Sequence, residues 1–472
     1  MTLQIPFDNT YAALPGVFYS KLLATKSANP QLISFNHSLA DILRISVGDK
    51  AKLAQVFSGN ELSEGAEPLA QLYSGHQFGQ YNAQLGDGRA LLLGETVGKD
   101  GIRRDIQLKG SGRTPYSRGG DGRAWLGPIL REYIISEAMS ALNIPTTRAL
   151  AAVLTGEQVL RETVYPGAVL TRVAKSHIRV GTFQVFSARR DWKSLHQLLD
   201  YAIQRHYPKA DGALGFLLAV IREQAELIPK WMGIGFIHGV MNTDNCQIAG
   251  ETIDYGPCAF MDHYDPLQVF SSIDRFGRYA FNNQPNIIIW NMAQLATALV
   301  PLMPNADDAV ERFSEAIHSM STLIKKNWLR VFSAKIGISN PKAEDELLIN
   351  KLLTQMDESK ADFTNTFAAL GSNAIRNEFM EPEKFDIWEK EWHDRISDER
   401  HVDETLRGAN PIIIPRNHRI EEMVRAAVIG DFSVFERLSK AYSAPFTENS
   451  DYYDLRETPN EKEVVTATFC GT

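Results

Sequence analysis

Apolar positions along this chain change their spacing several times, and each change marks a boundary. From about residue 66, short apolar runs alternate with glycine-rich turns, and Arg89-Ala-Leu-Leu-Leu-Gly-Glu95 and Asp105-Ile-Gln-Leu-Lys-Gly110 predict short strands. Between Pro128 and Leu142 the spacing becomes helical, with Ile129, Tyr133, Ser136 and Ser140 on one side and Leu130, Ile134 and Met139 on another. Asn143-Ile-Pro145 ends that helix, because the residue before a proline disfavours the helical region. Residues 156–185 return to strand-like runs, Ala168–Ala174 and Ile178–Phe186. Helical periodicity resumes at about 192–207 and 211–229, a strand-and-turn region covers 233–262, and helices dominate from about 285 to 445. The two prolines of Asn410-Pro-Ile-Ile-Ile-Pro-Arg-Asn-His418 predict an extended connector within that last stretch. The first 65 residues mix apolar and turn residues and predict an irregular extension, and the last 25 predict a flexible tail. Strands with one helix, followed by a mostly helical part, make an α+β chain.

Composition narrows the setting. With 472 residues, 44% of them hydrophobic, the chain can bury a large core, and it shows no internal repeat. A net charge of −8 indicates no bulk attraction to nucleic acid or to an anionic membrane. The longest apolar runs, such as Phe216–Ile221, fall far short of the ~20 residues that cross a bilayer. The first fourteen residues lack a basic stretch followed by an apolar one, and three cysteines make no disulfide framework. A soluble cytoplasmic protein is expected. Its charge is uneven, since residues 101–180 hold twelve Lys and Arg against six Asp and Glu. Such a window is either a solvated surface or an anion pocket.

The motifs favour the pocket. Gly75-His-Gln-Phe-Gly79, Gly86-Asp-Gly-Arg89, Gly110-Ser-Gly112 and Gly119-Gly-Asp-Gly-Arg123 are glycine turns. Turns of this kind can close backbone N–H groups on phosphate oxygens, and an adjacent Arg adds a planar donor fork. Hairpin geometry explains any one of them, but it does not call for an Arg after both GDG turns. No Walker A sequence is present. Lys109 ends a predicted strand and Glu132 lies 23 residues on, within the predicted helix. In protein kinases a strand lysine pairs with a helix glutamate to position nucleotide phosphates. Glu137 is the competing partner, on another face of the helix, and ranks second.

The strongest local signal is Phe236-Ile-His-Gly-Val-Met-Asn-Thr-Asp-Asn245 followed by Ile253-Asp-Tyr-Gly256. It matches a kinase-like catalytic loop and metal loop, with Asn245 and Asp254 as oxygen ligands suited to Mg²⁺. Val240 stands where phosphotransferases carry their catalytic Asp, which argues against ordinary γ-phosphoryl transfer, and Asp244 is the nearest carboxylate that could replace it. His76, His177 and His263 have no second ligand at metal spacing and read as structural, and the stripe Ile420, Met423, Val424, Ala427, Val428 reads as core. The expected fold is therefore a bilobal protein-kinase-like α+β fold. Its parts are an N-terminal extension (1–65), an N-lobe with nucleotide-binding turns (66–155), a C-lobe with the catalytic and metal loop (156–290), and a helical region ending in a cysteine-bearing tail (291–472).

Taken together, GHQFG, QLGDGRA, LKGSGRTPYSRGGDGRA, HGVMNTDN, IDYGP, NPIIIPRNH and a terminal FCGT resemble the selenoprotein O family, also called the YdiU family, over about residues 70–470. The resemblance implies a protein-kinase fold without the usual catalytic Asp, binding ATP in an inverted orientation and transferring AMP to Ser, Thr or Tyr of protein substrates. It further implies that Gly86, Gly88 and Arg89 form a nucleotide-binding turn, that Lys109 pairs with Glu132, and that Asp121 and Gly122 contact nucleotide. Arg172 and Arg179 would hold phosphates; the residue pattern alone places them only in the basic window. Asp244 would accept the proton. Asn245 and Asp254 would bind Mg²⁺ or Mn²⁺, with Asp254 also at the nucleotide. The terminal cysteine of the family implies a redox bond from Cys470 to Cys258, or else to Cys246. Neither nucleic acid nor membrane is expected as a partner. Two other functions remain open on the sequence: phosphorylation of a small molecule or protein, which Val240 opposes, and a non-catalytic nucleotide-binding scaffold, which the intact Lys109, Asn245 and Asp254 oppose.

Overall fold

The structure, a computed structural model, describes residues 3–372 and 375–468. Early in the chain come strands β1 (Tyr19–Lys21) and β2 (Gln31–Phe35), then helices α1 (His37–Ile42) and α2 (Lys50–Phe57). Strands β3 (Leu69–Gln71), β4 (Gly75–Gln77), β5 (Gln80–Asn82), β6 (Ala90–Val97), β7 (Arg103–Lys109) and β8 (Ala124–Trp125) precede α3 (Leu126–Ala141). The long strands β9 (Arg148–Leu160) and β10 (Val164–Ala174) follow, then α4 (Val180–Ala188), α5 (Trp192–His206) and α6 (Gly212–Gly233). The pair β11 (Phe236–Ile237) and β12 (Ala259–Phe260) brackets the metal-loop motif, and helices continue with α7 (Gln284–Leu299) and α8 (Ala306–Lys335). The last helices are α9 (Asp345–Ser359), α10 (Phe363–Ala368), α11 (Pro382–Ile396), α12 (Val402–Ala409), α13 (Asn417–Val428) and α14 (Ser433–Ala441).

The main sheet is antiparallel and runs β1-β3-β6-β7-β10-β9-β2, with β8 beside β10. Strand alternation divides its residues between two faces. Ile106, Leu108, Val169 and Val173 pack with Leu39, Leu53 and Phe57 of α1 and α2. Their neighbours Asp105, Gln107, Lys109 and Arg172 point the other way, and Lys109 and Arg172 there meet Glu132 of α3. The first 65 residues are thus not an irregular extension: β1 and β2 form the two edges of the sheet, and α1 and α2 cover one face. Strands of three and five residues are too short to register as alternation.

Ile178–Phe186 is a second difference, since Val180–Ala188 is helical. Residues 180–186 are buried on every side, and an apolar run without a polar face has no period that separates helix from strand. The Arg179 N–H donates to Thr182 Oγ1 at 3.1 Å and closes the first turn. The other predicted helices agree within a few residues, and residues 410–416 form the extended connector. Arg416, buried at the end of that connector, binds both oxygens of Asp362 at 2.8 and 3.1 Å and also reaches Asp262. The expected flexible tail is anchored over its described part. Arg437 pairs with Asp454 at 2.6 Å, and the Thr468 N–H donates to the Phe270 carbonyl at 2.7 Å. No helix among the described residues is long and apolar enough to cross a membrane.

Glu251, next to the metal-loop motif, accepts the Lys175 N–H at 2.8 Å, and burial pushes its carboxyl up from 4.5 to about 7. Between those values the folded chain holds a proton that the unfolded chain has lost, so this group's stabilising contribution is full below pH 4.5 and declines as pH rises to about 7. Glu251→Gln keeps the acceptor oxygen and removes the titration. The variant should be more stable than the parent at pH 8, by an amount on the order of a few kcal/mol, with the gap closing toward pH 4. Denaturant midpoints across that range provide the check, and a gap independent of pH would refute it.

Candidate active site

Four charged side chains from four different elements meet beneath the sheet. Lys109 Nζ, at the end of β7, lies 2.5 Å from Glu132 Oε2 and 3.2 Å from Asp254 Oδ1. Arg172, from β10, places Nη2 2.6 Å from Glu132 Oε1 and 2.7 Å from Asp254 Oδ1. Strand pairing sets this up, because Arg172 is in register with Gln107, two residues before Lys109 on the same face. Burial would raise the Glu132 carboxyl, but Arg172 and Lys109 outweigh it and hold the group below its ordinary range. Burial acts the same way on Asp254, and Arg172, Lys109 and Arg179 hold it well below the ordinary range. Glu137 pairs instead with Arg148, at 2.7 Å, away from this cluster.

Arg179 extends the cationic side. Its guanidinium lies 4.2 Å from the centre of the Tyr73 ring and 3.8 Å from Asp87 Oδ1, and its Nε donates to the His177 carbonyl at 3.2 Å. Asp87 is buried beside it, which raises its carboxyl. Asp87 sits inside the GDGR motif, yet its role there was not legible. The residues 110–117 are clamped between the two GDGR turns. The Gly112 N–H donates to the Gly122 carbonyl at 3.0 Å, Thr114 Oγ1 to the Asp87 carbonyl at 2.7 Å, and Ser117 Oγ to the Gly88 carbonyl. Only glycine fits at Gly86 (φ 120°) and Gly122 (φ 69°): a Cβ would lie 2.5 Å from the Tyr116 ring and 2.1 Å from the Gly112 carbonyl oxygen, respectively.

Two predicted site residues stand apart from the cluster. Asp121 is half exposed and gives both oxygens to Arg161, at 2.8 and 3.0 Å. The Arg89 carbonyl accepts the Gly110 N–H at 2.7 Å, while its guanidinium makes no ion pair among the described residues.

The catalytic-loop motif is shaped by His238. Its Nε2 donates to the Ile253 carbonyl at 2.8 Å and its Nδ1 accepts the Val240 N–H at 3.3 Å, a neutral imidazole that burial favours. It therefore ties the Asn245 loop to the Asp254 loop. Asn245 Nδ2 donates to the Val240 carbonyl at 3.0 Å, which leaves its Oδ1 as the oxygen open to a ligand. Asp254 adopts a left-handed backbone (φ 63°), and its hydrogen bonds among the described residues engage only Oδ1. Asp244 is 7% exposed, accepts from Gln77 Nε2 at 3.0 Å through Oδ2, and leaves Oδ1 buried with no partner among the described residues. Burial pushes its carboxyl up to about 6. Gln77 was not recognised from the sequence as a neighbour of this site.

Cys258 and Cys246 are buried and form no disulfide among the described residues, and Cys470 lies outside those residues. The Cys258 carbonyl accepts from Arg131, whose Nε also donates to the Gly256 carbonyl at 3.1 Å, so the residue before Glu132 fastens α3 to the metal loop. A buried pair behind the cluster also escaped the sequence: Asp105 Oδ2 accepts from the His177 backbone and from His177 Nδ1, at 2.8 and 2.9 Å, across 72 positions.

The model of the family Protein adenylyltransferase SelO matches residues 1–443 of the chain. The Protein nucleotidyltransferase YdiU of Ruegeria pomeroyi is 60% identical over 472 residues, covering 100% of both chains. The protein of that name from a Ruegeria species is 61% identical with the same coverage, and that from Rhodopseudomonas palustris is 51% identical over 492 residues, again covering 100% of both chains. On this match the chain is a nucleotidyltransferase and belongs to the protein adenylyltransferase SelO family.

Proposed function

We propose that this enzyme transfers AMP from ATP to Ser, Thr or Tyr hydroxyls of proteins, using the two-lobed kinase-like arrangement in which the sheet and α3 form one lobe. The single observation that carries the reading is the buried cluster of Lys109, Arg172 and Arg179, none of which forms an ion pair with Asp244 among the described residues, with Val240 in place of the usual base. Three cations at the closed end suit the β- and γ-phosphates, which leaves the α-phosphate toward Asp244. The acceptor hydroxyl gives its proton to Asp244, its oxygen bonds to the α-phosphorus, and the bond to the β-phosphate oxygen breaks to release pyrophosphate. Burial suits Asp244 to this task, since a carboxyl poised near 6 accepts a proton more readily than an ordinary one. The clamped turns at Gly86, Gly88, Arg89, Asp121 and Gly122 would border the nucleotide.

Asn245 Oδ1 and Asp254 Oδ2 are hard oxygen donors that fit Mg²⁺ or Mn²⁺, which keep several waters and bind through few protein ligands. Among the described residues, no group of three or more His, Cys, Asp or Glu side chains is placed to hold a metal ion, so the remaining ligands would be water and phosphate oxygens. When bound, such an ion supplies positive charge to the phosphates.

The Thr468 hydroxyl donates to the carbonyl of Pro257, beside Cys258, which sets Thr468 against the loop of Asp254. We include in the proposal a regulatory disulfide between Cys470 and Cys258. Burial pushes the Cys258 thiol up to about 11, so Cys470 would be the attacking thiolate. Joining the thiols releases two protons and passes two electrons to an added disulfide oxidant.

Three measurements follow. With ATP labelled at the α or the γ phosphate, only the α label should enter protein, as a mass increment of one AMP; incorporation of the γ label alone would establish a kinase instead. Asp244→Ala should lower turnover by roughly 10²–10⁴-fold with nucleotide binding retained, while Asp254→Ala should remove the metal-dependent part of that binding. Oxidised glutathione should lower activity in the parent and not in Cys470→Ser, and non-reducing peptide maps that lack any peptide joined to Cys470 would exclude the disulfide.

A further inference from the structure

The motif Gly75-His-Gln-Phe-Gly79 has no role in the chemistry above beyond its turn. It forms the β4–β5 hairpin, which lies directly on the loop that carries Asp244. The His76 N–H donates to Thr243 Oγ1 at 2.7 Å, and the Phe78 N–H donates to Asn242 Oδ1 at 3.0 Å. Gln184 of α4 fastens the same two partners, donating to His76 Nδ1 at 2.9 Å and accepting from Thr243 Oγ1 at 2.7 Å. Tyr279 adds a hydroxyl to Asn242 Oδ1 at 2.6 Å. Between the two backbone anchors, Gln77 Nε2 donates to Asp244 Oδ2 at 3.0 Å. Hairpin and loop are therefore held together at several points, and the Gln77 amide is one of them.

A carboxylate on a single rotatable bond presents either oxygen in many orientations. Engaging one of them with a fixed donor selects the direction of the other. Here Oδ2 is engaged, while Oδ1 is buried and has no partner among the described residues. Space for Oδ1 depends on the glycine at the start of the hairpin, because a Cβ at Gly75 would lie 2.6 Å from it.

We propose that Gln77 is a positioning residue for nucleotidyl transfer, fixing the Asp244 carboxylate that takes the proton of the acceptor hydroxyl. The inference rests on the reading of Asp244 as that base. The Gln77 amide spends its donor on Asp244, so its loss acts on turnover through that carboxylate. The β4–β5 hairpin then contributes to the reacting geometry as well as to the wall of the site.

The test is a double-mutant cycle on the full chain, reading pyrophosphate release from ATP in the presence of casein. Gln77→Ala should lower kcat by ~10–10²-fold with the KM for ATP unchanged. In the Asp244→Ala background the same change should cost nothing further. Gln77→Glu, which keeps the size and replaces the donor, should lose turnover as Gln77→Ala does while melting at the parent's temperature. Equal fractional losses in both backgrounds, a raised KM with unchanged kcat, or a fully active Gln77→Glu would overturn the positioning role while leaving Asp244 as the base. Parent-level turnover in Asp244→Ala alone would remove the base and the positioning role together.

Discussion

The charge cluster of Lys109, Glu132, Arg172 and Asp254 is the constraint on which the rest of the structure depends. Two strands, one helix and one loop each contribute a side chain, and all but Asp254 are nearly inaccessible to water. Withdrawing such groups from water costs several kcal/mol per ion, and the cost is offset only when every charge meets a partner at close range. Removing one member leaves its partners buried and unpaired, a loss of about 3–5 kcal/mol. The cluster therefore demands correct register between β7 and β10, correct rotation of α3 and correct seating of the metal loop, all at once. Arg131 supports that demand from the adjacent helix position by holding the Gly256 and Cys258 carbonyls.

The same geometry explains the position of the chain's beginning. A strand pair that turns Lys109 and Arg172 toward α3 turns Ile106, Leu108, Val169 and Val173 to the opposite face. That face would expose a large apolar area, and α1 and α2 bury it with Leu39, Leu53 and Phe57. The segment before them also enters the polar network, since Glu95 accepts the Thr10 and Tyr11 N–H groups at 3.1 and 2.5 Å and pairs with Arg205 at 3.1 Å. Asp105 shares Arg205 at 2.5 Å and holds His177, whose carbonyl holds Arg179. The segment at Thr10 and Tyr11 and the Arg179 guanidinium are thus connected through hydrogen bonds and ion pairs.

Sequence carried the local parts of this design and missed the distant ones. Helix α3 was legible because its apolar spacing and the Asn143-Ile-Pro145 stop are local, and Lys109 and Glu132 stood at matching element positions. The α4 segment was misread because burial on all sides erased its periodicity, and β1 and β2 because edge strands of this length carry little pattern. Arg172 and Arg179 came from family resemblance, since a charge in a basic window has no direction until strand register supplies one. The contacts of Gln77 with Asp244 and of His177 with Asp105 span 167 and 72 positions, and nothing local encodes them.

Val240 shows how the loop between His238 and Asn245 is closed. Its N–H is held by His238 and its carbonyl by Asn245, so this position closes the loop through its backbone, and its side chain is buried. Asp244, four residues on, meets the β4–β5 hairpin and its Gln77 donor. A carboxyl in that place is shielded from water on the hairpin side and stays separate from the Lys109 and Arg172 ion pairs, which hold Asp254 instead. Two carboxylates in one site are in this way driven apart: cations hold Asp254 well below the ordinary range, and burial raises Asp244 to about 6.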